Sequence, residues 1–583
     1  MNVQNSFDQW SVGPVLSFRG VKPGTPDLWQ VSALVGHTGV EPPDLVLDQA
    51  PVASPTLLLA TQSGLRIWRY TLTVPMGTSE RVAHYGPPSQ PSLWQFQVPS
   101  QAQSPRSAFV SCNGFSDPNS MRKLQHKAGA VWGDMLSSHD AVFRPQGYRL
   151  DRDQLWHETN LLSQGHKRFH LLLMGGDQIY FDSIWEDLPE LKAWVALDRT
   201  SQLSFDVSAE LGRSIQAYFE DLYATRWLPK HRAAWDAPYQ DGDAAHAMAR
   251  IPTIMMWDDH DIFDGWGSYT PEMMQCPLFK VLFAAARRAF WVFQLQHKVE
   301  DLPDLVHQID PSQTQDPVYK PIAWPNHLRG DPLALPLIPQ QPGFSSVWQI
   351  GALTLWVPDL RTERSRQQIL GAATWSQTRQ ALQQRPSGTR HLWMLSSVPV
   401  IHPKLGGIEG ALNTFGQDHV TDSNADDIRD HWSHDEHAGE RKQLLAMLFS
   451  VASSQSLRVS IVSGDVHVAA LGVASQNRQT SSQSPGLIYQ FTASGVVHPS
   501  LSGWMESIFL GFLNRASATE EWLDADTSLK MLTFPSHANP IMAQRNWLAL
   551  EDQGGQLWAT WRCENSTPQC SSHVHVVPVV QTT

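Results

Sequence analysis

Three apolar, strand-like runs of this sequence each end on a cluster that contains Asp together with His or Tyr. The runs and the clusters that follow them occupy residues 168–174 and 175–180, 251–257 and 258–261, and 458–462 and 463–467. In open α/β sheets the carboxyl ends of the strands line the ligand crevice. Three strands that end in such residues therefore aim hard ligands at one place, which packing does not require and a metal ion does. The pattern predicts an α/β fold with a metal site.

The composition is that of a globular protein with a modest negative charge. The 583 residues carry a formal charge of −13, and 42% are hydrophobic against 17% charged. This length favours two domains. The charge argues against nucleic-acid binding, because nucleic-acid phosphates require a basic face. The excess of tryptophan, 24 residues, is interpreted as core and loop packing rather than as a carbohydrate-stacking surface.

The sequence predicts a cytoplasmic protein. Residues 1–14 lack the basic patch and apolar stretch of a secretory signal, and no window approaches the roughly 18 to 20 apolar residues of a membrane span. Its four cysteines, Cys112, Cys276, Cys563 and Cys570, are too scattered for a disulfide framework. Reduced thiols are expected, with a Cys563–Cys570 bridge as the alternative. The sequence predicts no oligomeric state.

The chain divides into a β-rich first part and a longer α/β part. Short strand-like runs separated by Gly and Pro fill residues 10–99, and residues 100–106 have the composition of a linker. A β-sandwich-like domain is therefore predicted over residues 1–104. Strands then alternate with helical stretches at 210–228, 279–299, 374–384 and 440–451, which predicts an α/β domain over residues 105–583. The Pro-rich segment 305–343 is predicted to be a long excursion that shapes the substrate pocket.

The second cluster is the most crowded. Asp258, Asp259, His260 and Asp261 place three carboxylates and an imidazole in four positions directly after an apolar strand. Such crowding is costly unless cations neutralise the charge or water solvates it, and the buried approach favours cations. The cluster therefore predicts a metal or catalytic site.

The other clusters have simpler alternatives. Asp177 follows two glycines and is also placed to cap a helix over residues 182–197. Asp465 and His467 lie at i and i+2, on one side of an extended segment, although a lone histidine is often structural. Cys112 follows a fourth strand-like run, residues 108–110, where a thiolate ligand competes with the ordinary role of a small buried residue.

Together these residues resemble a known family. Ser111-Cys112-Asn113, Gly176-Asp177-Gln178-Ile179-Tyr180, Asp258-Asp259-His260-Asp261 and Gly464-Asp465-Val466-His467, in this order, resemble the alkaline phosphatase D (PhoD-like) branch of the calcineurin-like metallophosphoesterases. The resemblance runs from about residue 109 to 550. It implies an α/β fold: a metallophosphoesterase-type αββα sandwich core with a di- or multinuclear metal centre, behind an N-terminal β-sandwich-like domain.

The resemblance also implies roles for individual residues. Asp177 would bridge two metals, with Cys112, Tyr180 and His467 on a ferric iron. Asp259 and Asp465 would hold an oxygen-preferring ion such as calcium, and other divalent ions stay open. His260 would stabilise the transition state or leaving group, Asn113 would contact phosphate oxygens, and Arg361 would pair with a phosphate.

The implied activity is metal-dependent hydrolysis of a small-molecule phosphomonoester or phosphodiester by metal-activated water. Two alternatives are a non-catalytic binding protein on the same fold and a metal hydrolase of a non-phosphate ester. Asp134 and Asp153 are candidates for a further carboxylate ligand. His434, His437 and His498 are interpreted as surface or structural residues.

Overall fold

A computed structural model describes residues 10–116, 118–140, 168–227, 243–307, 316–322, 324, 334–384, 388–403, 432–464, 466–500, 504–566 and 570–580. The predicted ligand Asp465, the candidate Asp153 and much of the segment 305–343 lie outside these residues.

The described strands form three sheets. In chain order they are β1 Trp10–Lys22, β2 Leu28–His37, β3 Val46–Leu47, β4 Ala50–Pro51, β5 Thr56–Ala60, β6 Arg66–Pro75, β7 Arg81–Gly86, β8 Trp94–Val98, β9 Ser107–Val110, β10 Leu171–Gly175, β11 Thr253–Met256, β12 Ser346–Ile350, β13 Leu353–Val357, β14 His391–Ser396, β15 Arg458–Ser463, β16 Ala469–Gln476, β17 Leu487–Thr492, β18 Glu521–Trp522, β19 Thr527–Leu532, β20 Ile541–Met542, β21 Asn546–Gln553, β22 Gln556–Glu564 and β23 Cys570–Pro578.

The described α-helices are α1 Pro118–Arg122, α2 Ala130–Asp140, α3 Ile184–Asp187, α4 Pro189–Val195, α5 Arg199–Leu203, α6 Ala209–Leu222, α7 Asp243–Met248, α8 Pro271–Met274, α9 Pro277–Ala289, α10 Ala372–Gln383, α11 Ala438–Gln455 and α12 Trp504–Ser517. Single π-helical turns continue α6 over Tyr223–Trp227 and α9 over Phe290–Gln294. Short 3-10 turns cover Asp259–Asp261, Val299–Asp301 and Asp435–His437. None of the helices in the described ranges is long and apolar enough to cross a membrane.

Two large sheets form the core. The first has the order β23-β22-β21-β9-β10-β11-β1-β2-β6-β5, and the second runs β12-β13-β14-β15-β17-β16-β19-β18 with β20 beside β16. Strands β9, β10, β11 and β1 are parallel neighbours, as are β13, β14, β15 and β17. Parallel sheets are buried on both faces, and all five residues of β10 are buried accordingly.

The side chains of β10 show how the layers stack. Leu171 and Leu173 pack in the hydrophobic cluster that also contains the second sheet, whereas Leu172 and Met174 pack in the cluster that contains α2, α6 and α9. Adjacent residues of a strand point to opposite faces, so this alternation places the first sheet between helices and the second sheet. Helices α10 and α11 pack with the second sheet, which completes the expected αββα sandwich.

The first hundred residues are β-rich and sandwich-like. The small sheet β4-β3-β7-β8 packs on the strands β1, β2 and β6, with the rings of Trp10 and Trp94 stacked at 5.4 Å between centroids. Strand β1 also pairs in parallel with β11, at Ser17 and Thr253. The first part therefore continues the main sheet, and the domain boundary after residue 104 stays a prediction.

Two expectations from composition can be compared with the structure. Eleven tryptophans are among the largest fully buried side chains, which agrees with core packing. Cys563 lies opposite Ser571 in the β22–β23 register, and Cys570 lies opposite Glu564. These two cysteines therefore point to opposite faces of the sheet, so this geometry disfavours the alternative of a bridge between them.

Candidate metal centre and active-site cleft

The loops that follow β9, β10 and β11 bring acidic and sulfur ligands together at one edge of the first sheet. One ligand atom from each of Asp177, Asp259 and His260 lies within 4.8 Å of the others, and all three residues are buried. The Cys112 Sγ lies 3.6 Å from the Asp177 Oδ2. The three loops converge because their strands are parallel neighbours that end together.

His467 approaches from the second sheet. Its ring stacks on that of His498 with centroids 3.9 Å apart, and the His498 ring lies 5.9 Å from the Tyr180 ring. Tyr180 in turn stacks on His260 at 4.2 Å. A column of four rings thus connects the loops of both sheets. Backbone hydrogen bonds from Val496 N to Ser111 O and from His498 N to Cys112 O fix the two sheets together there.

The backbone is unusual at three predicted ligands. Cys112, Asp177 and His467 have φ values of 52°, 54° and 50°, a left-handed region that non-glycine residues seldom adopt. Such conformations cluster at functional sites, where the surrounding structure enforces them. Asp177 is not a helix cap, since the next helix, α3, begins at Ile184 after Ser183, and this alternative is therefore wrong.

Three buried polar atoms of predicted ligands have no hydrogen-bond partner among the described residues: Asp177 Oδ1, the Tyr180 hydroxyl and His467 Nδ1. A buried polar atom without a partner costs free energy and usually marks a missing ion or water. Carboxylate, phenolate and imidazole are all donors that metal ions accept. The residues present therefore fit a bound cation.

The charges of the cluster shift its pKa values strongly. Burial raises the pKa of Asp177 well above its ordinary value, and the neighbouring Asp258, Asp259 and Asp261 raise it further. Burial also raises the pKa of the Tyr180 phenol, with Cys112 and Asp177 adding to the effect. Both groups favour a neutral state without a cation, so a cation is what would make them anionic ligands.

The two histidines of the cluster shift in opposite directions. Burial opposes the charge on His260, but Asp182, Asp259 and Asp177 outweigh it and raise the pKa well above the ordinary value. Burial lowers the pKa of His467 well below its ordinary value, and His498 and His260 lower it further. His260 is thus suited to hold a proton, and His467 to offer a neutral ring nitrogen.

The four residues of the crowded motif have separate contacts. Asp259 and His260 face the candidate metal site, whereas Asp258 accepts a hydrogen bond of 2.5 Å from the Arg361 Nε. Asp261 accepts from the backbone N–H groups of Asp258 and Gln178 and from Gln294 in the second π-helical turn. Asp261 therefore fastens the loop after β10 to the loop after β11.

Arg361 is fully buried in these loops. Besides Asp258, its guanidinium donates to the Asp259 Oδ1 at 3.2 Å and to the Trp266 carbonyl at 3.0 Å. These contacts support a role for Arg361 in holding the Asp259 carboxylate in position. The predicted contact of Arg361 with a phosphate stays a prediction.

Asn113 lies at the rim of the site. Its Nδ2 donates to the Gln178 carbonyl at 3.2 Å, and its Oδ1 accepts from the Trp132 indole at 2.7 Å. The amide is therefore held in place beside the cluster, and its predicted contact with phosphate oxygens stays a prediction.

Sequence reasoning missed Asp182 and interpreted His498 as a surface or structural residue. Asp182 accepts a 2.7 Å hydrogen bond from the His260 Nδ1 and another from the Asp264 backbone. No local motif marks Asp182, although its position two residues after Tyr180 keeps it near the cluster. His498 follows the strand β17 of the second sheet and becomes recognisable only once both sheets are placed.

The candidate Asp134 lies elsewhere. Its carboxylate accepts from the Trp547 indole at 2.8 Å and forms a 2.6 Å ion pair with Arg562. These contacts give Asp134 a structural role at the end of the first sheet, so it is not the additional metal ligand.

An open cleft of about 870 Å³ leads away from the cluster. Asn113, Tyr180, Asp182 and Asp264 line its inner part. A second cavity of about 260 Å³, beside Trp266 and Arg364, is lined by none of the described site residues. The larger cleft therefore borders the candidate metal centre at Tyr180 and Asp182, whereas the smaller one does not.

The fold and the site define a two-sheet α/β protein with a buried cluster of metal-type ligands at the carboxyl ends of its strands. The family model described as PhoD related phosphatase matches residues 110–313 and 406–515, just over half of the chain. The chain belongs to the PhoD related phosphatase family, which confirms the predicted resemblance.

Two individual proteins are also similar. An uncharacterized protein of Saccharomyces cerevisiae is 25% identical over 438 residues, a match that covers 70% of this chain and 56% of that protein. The chain thus spans little more than half the length of this relative. A solved structure described as "Structure of PhoD" has a TM-score of 0.49 at 12% identity, covering 100% of this chain and 94% of the other.

Proposed function

We propose that this protein is a metal-dependent phosphoester hydrolase that acts on a small-molecule phosphomonoester or phosphodiester. The observation that carries the proposal is that Asp177, Tyr180 and His467 each have a buried polar atom without a hydrogen-bond partner among the described residues, in a member of the PhoD related phosphatase family. The family supports phosphoester chemistry, and the ligand set supports a cation at that place.

The donor types favour two different ions. Cys112, Tyr180 and His467 supply thiolate, phenolate and imidazole groups, which suit a ferric iron. Asp259 and Asp465 are residues with carboxylate side chains, which suit calcium, and we propose that Asp177 would bind both ions. We therefore propose iron and calcium as the resident metals.

When bound, such ions polarise the phosphoryl oxygens and activate a water for attack. The protein's own groups then have three tasks. Asp182 holds the His260 Nδ1, which leaves the other ring nitrogen to protonate the departing alcohol. Arg361 keeps Asp259 in place, and the fixed Asn113 amide would orient the phosphate.

The cytoplasmic location stays a prediction.

The test measures metal content and hydrolysis together. Purified protein should contain iron and calcium by elemental analysis and should hydrolyse 4-nitrophenyl phosphate, bis(4-nitrophenyl) phosphate or both. Asp177→Asn should lower turnover by at least about a hundredfold, since a bridging carboxylate loses its charge. Asp206→Asn makes the same change at an exposed position and should leave turnover unchanged. Metal-loaded protein that hydrolyses neither ester would refute the proposal.

A further inference from the structure

We infer that His498 is a positioning residue of the candidate metal centre, whose ring sets the orientation of the Tyr180 and His467 side chains as ligands. This inference rests on the metal dependence of the proposed function. It gives a role to a residue that no sequence motif marks, and that role is exerted on two ligands and not on the cation itself.

The backbone of residues 495–498 holds His498 against the loop after β9. The N–H groups of Val497 and His498 both donate to the Cys112 carbonyl, at 3.3 and 3.1 Å. A Cβ added at Gly495 would lie 3.0 Å from the His498 Cβ and 3.3 Å from the Cys112 Cβ, so a glycine allows this close approach. His498 follows a strand of the second sheet and is nevertheless fixed to a loop of the first.

The His498 ring contacts one predicted ligand from each sheet. It is stacked on the His467 ring with an interplanar angle of 16° and 3.9 Å between centroids, and on the Tyr180 ring with 14° and 5.9 Å. The two contacts are made by the face of the His498 ring, and neither needs a ring nitrogen. Stacked rings prefer particular distances and tilts, so His498 restricts the orientation of both neighbours.

The two ligands lack other support at the atoms that would bind a cation. The Tyr180 hydroxyl and the His467 Nδ1 are buried and have no hydrogen-bond partner among the described residues. His467 also has a φ of 50°, a conformation that persists only where the surrounding structure enforces it. Metal ligands are commonly oriented by a hydrogen bond from a neighbouring group. Here a stacked ring supplies the orientation.

Of the two ligands, His467 should depend more strongly on His498. Tyr180 also stacks on His260 at 4.2 Å, which holds its ring independently. Within the described part of the chain, His498 is the one aromatic ring that contacts the ring of His467. Loss of the His498 ring should therefore loosen the ligand from the second sheet first.

The experiment measures iron binding by variants of residue 498. Apo-protein is titrated with Fe3+ in competition with citrate, and the visible absorption band of phenolate-bound ferric iron is recorded at saturation. His498→Ala removes the ring, so it should raise the Kd for Fe3+ roughly 10- to 100-fold and shift the band. His498→Phe keeps a ring face without a nitrogen and should retain the wild-type band and most of the affinity.

His537→Ala is the matched control. His537 is half-buried, as His498 is, and it lies between β19 and β20 with its ring 6.4 Å from that of Phe534. Its removal should change neither the Kd for Fe3+ nor the band. Thermal unfolding of each apo-protein is measured in parallel, and His498→Phe keeps the test decisive if His498→Ala does not fold.

Four results distinguish the inference from the function on which it rests. An unchanged Kd and band in His498→Ala overturn the inference and leave the metal centre intact. Loss of iron by His498→Phe shows that a ring nitrogen is required, which also overturns it. Wild-type protein that binds no Fe3+ overturns the inference together with the metal centre. Wild-type protein that binds Fe3+ but hydrolyses neither nitrophenyl ester refutes the hydrolase function alone.

Discussion

Among single residues, Asp182 has the clearest role that the structure reveals and the sequence does not. It accepts from the His260 Nδ1 at 2.7 Å, and it is among the carboxylates that raise the pKa of that histidine. The bond also fixes the ring orientation, so the second nitrogen points in one direction. Asp182 acts through His260 and is therefore a positioning residue.

Asp182→Asn should reduce kcat in a way that depends on the leaving group. The amide no longer stabilises the imidazolium, so proton donation weakens and kcat should fall by roughly ten- to a hundredfold for phenyl phosphate. The loss should be much smaller for 4-nitrophenyl phosphate, whose leaving group needs little protonation. Steady-state kinetics on both esters check this, with Asp206→Asn as the control. Equal losses on both would show that His260 is not the proton donor.

At the scale of elements, the loops after β10 and β11 pack too closely for ordinary side chains. Gly176 has a φ of 99°, and a Cβ added there would lie 2.6 Å from the Asp258 Cβ and 3.0 Å from the Ser397 Cβ. Ser397 follows β14 of the second sheet, so Gly176 lies where three strand ends meet. Only glycine meets both the backbone and the space requirement.

Gly176→Ala should therefore destabilise the protein by more than the backbone strain of an alanine at this position would account for. The left-handed conformation costs an alanine about 1 kcal/mol, and overpacking adds about 1–3 kcal/mol. Gly64→Ala separates the two effects, because Gly64 has a φ of 85° but no atom within 4 Å of an added Cβ. Thermal unfolding of both variants measures the difference, and equal Tm values would contradict the tight packing.

The residue directly before β10, His170, makes the stability of the protein depend on pH. His170 is fully buried, and burial, assisted by Arg106, lowers its pKa to about 4 against the opposing pull of Glu80. The folded state thus keeps His170 neutral at a pH where the unfolded chain binds a proton. The contribution of neutral His170 to the free energy of unfolding is fully present above about pH 6.5, and it is lost as the pH falls toward 4.

His170→Gln should flatten the acid side of the stability profile. At pH 5 the wild-type histidine costs about 2 kcal/mol relative to neutral pH, a cost that glutamine does not carry. Urea unfolding at pH 7.5 and pH 5 should therefore show a smaller difference for the variant than for the wild type. An identical difference in both proteins would mean that His170 is protonated in the folded state.

Considered as a whole molecule, the site belongs to two sheets at once. Cys112, Asp177 and Tyr180 follow strands of the first sheet, whereas His467 follows β15 of the second. A cation held by both sets would link the sheets and stabilise only the folded state.

Metal removal should accordingly lower the thermal stability of the whole protein. At a metal concentration a hundredfold above Kd, binding adds roughly 2.7 kcal/mol. We expect chelated protein to unfold at a lower Tm and to recover it when iron and calcium are restored. His467→Ala should recover less than wild type, because one sheet loses its ligand. A Tm that does not respond to metal would contradict a shared site.

Much of this architecture could be predicted from local sequence. Strands β11 and β15 match the predicted runs 251–257 and 458–462 because buried strands have short, continuous apolar segments. The clusters around Asp177 and Asp259 are predictable from local sequence because charged groups beside a buried strand cost free energy unless a cation or water compensates their charge. Asp182 and His498 are not, since their roles depend on contacts between distant loops. The continuation of the first part into the main sheet was also hidden, because a single residue pair, Ser17 and Thr253, makes that connection.

That connection makes the N-terminal strands a structural support for the candidate metal centre. Strand β11 ends directly before Asp258 and is flanked by β10 on one side and β1 on the other. Cutting the chain after residue 104 would remove β1 from its place beside β11 and leave an unpaired strand edge next to the loop that carries Asp259 and His260. A shortened version of this protein is therefore a poor starting point for crystallisation or engineering.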